Sequence, residues 1–312
     1  MVVVCGEALI DLVPAGPLTS DTWRAVPGGG PANTAVALAR LGTPVKLVCR
    51  LSSDAFGRRI RSHLEQNGVD LTFAVDAAEP TTLAVVGLNQ SGAADYQFYV
   101  ENTADWQWTP RELPANLPPD TRVLHLGTLA SVIPPGAEIL RAWAAGHRDH
   151  ATIVYDVNVR PALLPDREAY RERVAPWLDI AHVVKASEDD LTWLHPVRSP
   201  LDTARGWLTA HDLDLVLITQ GAAGAMAVTR DRPPVRVPGF AVEVVDTVGA
   251  GDTLTAAFLH ATSTAPLNGT PASLSIALRY AVAAAALTCT REGADPPTRA
   301  ELDAFLQARE KV

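Results

Sequence analysis

Several things that would decide what a protein can do are scarce in this 312-residue chain. It has three cysteines, Cys5, Cys49 and Cys289, each standing among Val, Leu or Thr. They are too few and too scattered for a disulfide framework or a zinc site, and they read as small buried apolar residues suited to a reducing cytoplasm. Basic residues are in deficit, 26 Lys and Arg against 35 Asp and Glu, for a formal charge of -9. Attachment to nucleic acid by counterion release needs the opposite balance, and no basic cluster supplies it locally. Long apolar runs are missing too. The longest, "AVAAAALTC" at 281–289, is far too short to cross a bilayer, and "MVVVCGEALIDLV" lacks the marks of a signal peptide. The expectation is a soluble, cytoplasmic protein that binds neither nucleic acid nor membrane.

Familiar catalytic signatures are also absent. There is no G-x-x-x-x-G-K-[ST] phosphate loop and no G-x-S-x-G nucleophile elbow. "GAGDTL" lacks the third glycine of a dinucleotide fingerprint and lies near the wrong end of the chain for one. The eight histidines, His63, His125, His147 and His150 among them, show no metal-ligand spacing.

What the chain does have is apolar substance, 47% of residues, enough to bury a large core. Short Val/Leu/Ile runs at 2–9, 45–49, 123–127, 152–156, 181–184 and 214–218 read as strands, several of the doubly buried type. Helical periodicity falls between them at 31–41, 55–67, 134–146, 167–177, 187–194 and 201–210. This alternation predicts a three-layer α/β/α fold with a mainly parallel sheet. Two stretches break the rhythm: residues 10–27, rich in Pro and Gly, and the hairpin pattern of 81–100. Together they predict a small discontinuous β appendage beside the strand ends, where α/β proteins bind ligands.

Three glycine clusters carry the chemistry. In "VVDTVGAGDTLTAAFL" (244–259), a helix is expected to start at about Gly249–Gly251. The first N–H groups of a helix lack internal partners and carry the positive end of its dipole. Gly249, Ala250 and Gly251 offer almost no bulk, so an anion such as a phosphoryl group can approach closely. Asp252 behind them either takes a proton from an attacking hydroxyl or is an ordinary acidic first-turn residue. In "LVLITQGAAGAMAV" (215–228), Thr219, Gly221 and Gly224 either cradle a polyphosphate or form a plain hairpin turn. In "VPGGGPANTAVALARLG" (26–42), glycines including Gly29 and Gly30 precede an amphipathic helix, and Asn33 in its first turn binds a polyol hydroxyl or caps the helix. Glu7 and Asp11 interrupt the first strand, and Asp11 can reach sugar hydroxyls.

In order and spacing these motifs resemble the ribokinase-like (PfkB-type) carbohydrate kinases over nearly the whole chain. "GGGPANTAVALARLG" is similar to that family's amino-terminal signature and "DTVGAGDTLTAAFL" to its carboxyl-terminal one. "GEALIDLVP", "DVNVRPAL", "ITQGAAGA" and "AAAALTCTREGA" are secondary matches. The resemblance implies one kinase domain over 1–312 with a β lid from about 11–27 and 81–101, transferring the γ-phosphate of ATP to a sugar hydroxyl. It makes Asp252 the base and Gly249, Ala250 and Gly251 the anion hole. It puts Asp11, Gly29, Gly30, Asn33, Tyr99 and Arg160 on the sugar, and Glu188, Thr219, Gly221 and Gly224 on the nucleotide, where Lys185 is a further candidate. Magnesium is implied with ATP. Potassium is an open expectation at Asp246, Arg291 and Gly293, as is a homodimer through the lid.

The chain also departs from the family. Where relatives often carry Asn-x-x-Glu, it has Lys185-Ala-Ser-Glu188, so only Glu188 carries over, and Lys185 either approaches a phosphate or is solvated. Val282 replaces a frequent Asn, and Pro297 a frequent Ser beside the cation loop. Within the family the segments "PTTLAVVGL" and "FYVENTAD" look most like fructokinases. The alternatives are 2-keto-3-deoxygluconate kinase, then ribokinase or nucleoside kinase, and last a catalytically silent sugar-binding regulator. Tyr99 and Trp106 either stack on the sugar or pack the lid.

Overall fold

The computed structural model describes residues 1–15, 22–88, 94–263 and 269–310; residues 16–21 and 89–93 of the two expected lid segments lie outside the described residues. The strands, in chain order, are β1 (Val2–Cys5), β2 (Leu9–Pro14), β3 (Trp23–Gly28), β4 (Val45–Val48), β5 (Arg50–Ser52), β6 (Val75–Ala77) and β7 (Leu83–Leu88). They continue as β8 (Ala94–Tyr99), β9 (Val123–Leu126), β10 (Thr152–Asp156), β11 (Val183–Ser187), β12 (Leu215–Thr219), β13 (Ala225–Val228) and β14 (Val235–Val237). The helices are α1 (Gly30–Arg40), α2 (Ala55–Gln66), α3 (Gly136–Ala145), α4 (Arg167–Leu178), α5 (Glu188–Leu194), α6 (Pro200–Ala210), α7 (Ala250–Ala261), α8 (Pro271–Thr288) and α9 (Arg299–Glu310).

The large sheet has eight strands in the order β14-β13-β12-β11-β10-β9-β1-β4. From β4 to β12 all neighbours are parallel, and β13 and β14 return antiparallel. Alternate side chains leave a strand on opposite faces, so this sheet builds two cores. Val2, Val4, Leu47, Val154 and Leu217 pack on one face with residues of α1, α7 and α8. Val3, Cys5, Leu124, Ile153 and Tyr155 pack on the other with Trp177, Leu191 and Leu208. The result is the expected α/β/α sandwich. Helix α8 is apolar and long enough by length and composition to cross a membrane. Here it packs along α7, β13 and β14, with Leu274, Ala277, Leu278 and Ala281 in the core.

A second sheet of four strands has the order β3-β2-β7-β8, and β5 and β6 form a small parallel pair. The four-stranded sheet is the expected appendage, although β2 and β7 within it are parallel. One expectation needs correcting. The run 2–9 is not one strand but two, β1 in the large sheet and β2 in the small one, joined at Gly6-Glu7-Ala8. Apolar character alone cannot mark that break; buried side chains at Glu7 and Asp105 make it.

The helices begin in two ways. Asp54, Asp166, Ser187, Ser199 and Thr270 each accept a first-turn N–H of α2, α4, α5, α6 and α8 respectively. Helices α1, α3 and α7 start instead at Gly29, Pro135 and Gly249, with no side-chain cap. No side chain therefore covers the first N–H groups of α1 and α7, although the Ala250 N–H turns back to Thr247 O at 3.3 Å.

Candidate active site

The uncapped ends of α1 and α7 meet beside the carboxyl ends of the parallel strands. Strand order reverses around β1, which lies between β4 and β9, and ligands of open α/β sheets bind at such a reversal. Glu7 follows β1 there and is buried. Its carboxylate accepts the N–H groups of Ala130 (3.0 Å), Thr128 (3.3 Å) and Leu129 (3.4 Å), and the Thr128 hydroxyl. Asp105, also buried, accepts the Ala8 N–H at 2.9 Å. The link between the two sheets is thus pinned by two acids.

Gly249 stands before α7 in the left-handed region at φ 75°, and a Cβ there would lie 2.6 Å from Ala294 Cβ. Both facts demand glycine. Asp252 is buried in the first turn and accepts the Asn33 side-chain N–H at 2.9 Å, so the first turns of α7 and α1 are tied together. Burial raises the Asp252 pKa above the usual carboxylate range, against the pull of Lys185, the Asn33 hydrogen bond and Arg160. A carboxylate of raised basicity beside helix N–H groups that no side chain caps can take a proton while an anion sits next to it.

Asp11, on β2, faces the same cleft. A Cβ on Gly28 would lie 2.1 Å from Asp11 Oδ2, and one on Gly30 would meet Thr128 Cγ2 at 3.0 Å and Asp252 Oδ1 at 3.4 Å. The triple glycine therefore leaves room for carboxylates rather than for packing. Burial pushes the Asp11 pKa up to about 6, with Arg160 opposing and Asp252 adding to the rise. Arg160 donates to Asn158 Oδ1 at 2.6 Å and to Val159 O at 3.0 Å, which holds its guanidinium near both acids.

At the other end of the cleft, Glu188 opens α5 and accepts the Gln220 amide at 2.9 Å. Thr219 ends β12, and Gly221 has open space where a Cβ would stand. Gly224 is glycine for another reason: its Cβ would lie 2.1 Å from Val237 O. The hairpin reading of that turn is correct, and only its Gly221 side is open. Asp246 accepts the N–H groups of Val248 (3.0 Å) and Gly293 (2.8 Å), closing the loop that precedes α7 onto the one that follows α8. The Arg291 side chain points elsewhere, to Glu301 at 2.7 Å and Asp295 at 3.5 Å. Nearby, Arg24 of β3 pairs with Glu292, both exposed, so the small sheet touches this loop.

Tyr99 does not join the cleft. It pairs in register with Leu83, and Leu83 pairs with Ile10, so it shares the face of Ile10, opposite Asp11. It is 52% exposed, whereas Trp106 is 1% exposed in the core. Neither stacks on a sugar, and the residue on the Asp11 side of β8 is Phe98. Lys185 is not solvated: its ammonium pairs with Asp156 at 3.0 Å, and both are buried. Sequence reasoning missed Gly28, Thr128 and Asp156 as site residues, although the triple glycine and "DVNVRPAL" held two of them.

Comparison with known proteins places the fold in a family. The model of the pfkB family carbohydrate kinases matches residues 1–301. Fructokinase-1 of Oryza sativa subsp. japonica is 37% identical over 97% of this chain and 96% of its own. The fructokinase of Xylella fastidiosa with bound ATP superposes with a TM-score of 0.91 at 29% identity, covering 99% of this chain and 98% of the other. That of Vibrio cholerae O395 in a form with fructose, ADP and calcium ion gives 0.87 at 29% identity, covering 98% of each chain. With its fold and both signatures accounted for, the chain belongs to the pfkB family of carbohydrate kinases.

Proposed function

We propose that the protein is an ATP-dependent fructokinase. The observation that carries this is the buried Asp252 carboxylate in the uncapped first turn of α7, with Asp11 across the cleft. Asp11 and Arg160, with the open backbone around Gly29 and Gly30, hold the sugar hydroxyls. Asn33 orients Asp252. The acceptor oxygen attacks the γ-phosphorus while its proton passes to Asp252, and the N–H groups at Gly249–Gly251 stabilise the charge on the transferring group. Thr219 and Gly221 flank the nucleotide phosphates.

Among the described residues no cluster of three or more His, Cys, Asp or Glu is placed to cage a metal. That suits magnesium, which keeps waters and substrate phosphates as ligands and needs few from the protein. Glu188 is the carboxylate that would face it, and the ion would supply charge neutralisation on the phosphates. The Asp246-closed loop would offer backbone carbonyls to potassium. The outward face of the small sheet, where Trp23 and Tyr99 are exposed, is the face a second copy would cover. The three free cysteines suit a cytoplasmic enzyme.

The acceptor pocket brings Asp11 and Asp252 to the sugar with Arg160 as their counter-charge. A carboxylate or phosphate on the substrate would meet like charge, which favours a neutral sugar over 2-keto-3-deoxygluconate or fructose 6-phosphate. The test is an ADP-release assay with fructose, ribose, 2-keto-3-deoxygluconate, a nucleoside and fructose 6-phosphate. Fructose is expected to give the highest kcat/KM; an inert fructose beside an active keto-acid would reverse the assignment.

A further inference from the structure

Lys185 is a buried cation for which the reaction just described has no use. Lysine is almost never fully buried without a partner, yet this one is 4% exposed in the middle of β11. Its partner is the residue directly beside it in the sheet, because β10 and β11 run parallel with Asp156 and Lys185 in register. The ammonium donates to Asp156 Oδ1 at 3.1 Å and Oδ2 at 3.0 Å. An ammonium carries three N–H donors, so one carboxylate leaves it with capacity to spare.

A second observation gives the direction of that capacity. A Cβ placed on Gly251 would lie 3.1 Å from Lys185 Nζ and 3.9 Å from its Cε. The ammonium thus abuts the first turn of α7 at the glycine immediately before Asp252. Burial works against its charge, but Asp156, Asp190 and Asp252 together outweigh burial and hold the Lys185 pKa above its ordinary value. His125, on β9, also faces this ammonium; burial and the lysine charge lower its pKa to about 3, so it stays neutral.

We propose that Lys185 is the cation that meets the transferring phosphoryl group from the sheet side of the α7 N-terminus, with Asp156 as the positioning residue that holds it there. The proposal rests on the kinase reading above. In the step, the acceptor oxygen forms the new bond to the γ-phosphorus and gives its proton to Asp252. The bond from that phosphorus to the bridging oxygen breaks, and its electron pair leaves on ADP. Lys185 keeps its proton throughout and donates an N–H to a non-bridging oxygen of the group in transit. The helix end supplies about half a unit of positive charge; the ammonium adds a charged N–H donor whose field Asp156 offsets in part. Asp156 makes the buried ammonium tolerable, because an isolated one would give up its proton instead.

The competing role for Lys185 is to neutralise Asp156 and nothing more. Lys185→Met, Asp156→Asn and the double variant separate the two, assayed with ATP and fructose and each checked by thermal melting. Lys185→Met is expected to lose about 100-fold in kcat, as for removal of one oxyanion donor, with the fructose KM little changed. Asp156→Asn is expected to lower kcat by a smaller factor, also without raising KM. The double variant, which has no unpaired buried charge, is expected to fold normally and to be as slow as Lys185→Met, since a positioning residue adds nothing once its cation is gone. Recovery of near wild-type kcat in a folded double variant would overturn the proposal, as would a Lys185→Met enzyme of normal kcat. A wild-type chain inactive on every sugar in the screen would overturn the kinase reading, and this proposal with it.

Discussion

Gly28→Ala isolates the part of the site proposed to hold the sugar. Gly28 ends β3 and has no positive φ, so alanine brings no backbone strain there. Its new Cβ would stand 2.1 Å from Asp11 Oδ2 and 3.0 Å from Cγ, closer than real Cβ contacts come. The backbone of paired strands is held by the ladder between Leu9 and Gly28, so the Asp11 carboxylate is what must turn away. A hydrogen bond to a charged group contributes about 1.5–3 kcal/mol. At about 1.4 kcal/mol per factor of ten, losing one such bond raises the sugar KM about 10- to 150-fold. The KM for ATP and the kcat at saturating sugar should stay near wild type, because α7 is untouched. Gly68→Ala is the control: it has φ 79° but nothing within 4 Å of its Cβ, so about 1 kcal/mol of stability is lost there with unchanged kinetics. Initial rates over a sugar concentration series measure both constants. An unchanged sugar KM in a folded Gly28→Ala enzyme would refute the placement of Asp11 on the acceptor.

Asp252→Asn should keep ATP binding, measured by calorimetry, and lose about 100- to 10,000-fold in kcat, the range for a general base; near-normal turnover would sink the base assignment. The acid limb of kcat/KM should fall as pH drops through about 6, because Asp11 is raised to about 6 and Asp252 is raised as well. Both must be ionised to accept a hydrogen, so activity is present above those values and lost below them; a rate flat from pH 7 to 5 would contradict this. Burial raises the Asp105 pKa from the ordinary carboxylate range to about 7, so its stabilising contribution is full below the unfolded value and fades as pH climbs through 7. Asp105→Asn keeps an acceptor for Ala8, so its Tm relative to wild type should rise between pH 5 and pH 8, as thermal melts in the two buffers can measure.

Local signals carried much of the site. The α7 start was legible because the glycines, the missing cap and Asp252 all lie within one turn, and the hairpin turn at 219–224 was legible from its glycines. Helix boundaries followed the periodicity to within about two residues. The failures came from three-dimensional neighbours. Lys185 reads as solvated on its own, and only the parallel register of two strands far apart in sequence puts Asp156 beside it. Tyr99 and Phe98 are adjacent, yet a strand sends them to opposite faces, so the hairpin pattern could not choose between them without its pairing to β2. The break after Cys5 was marked only by Gly6 and Glu7, and the apolar residues on either side hid that the chain passes into another sheet there. Helix α8 was seen only as an alanine-rich run, since a helix buried around much of its surface shows little periodic contrast.

The contact between Arg24 and Glu292 joins the edge strand of the small sheet to the loop beside the anion hole. Both partners stand in water, where such a pair is weak and is screened by salt. That weakness has a use in a working cycle. In the proposed reaction the sugar phosphate must leave past the small sheet, and a buried pair in this place would hold the exit shut after every turnover. A pair this weak can part at every turnover, so in the proposed reaction ionic strength should alter how fast product escapes more than how tightly sugar binds.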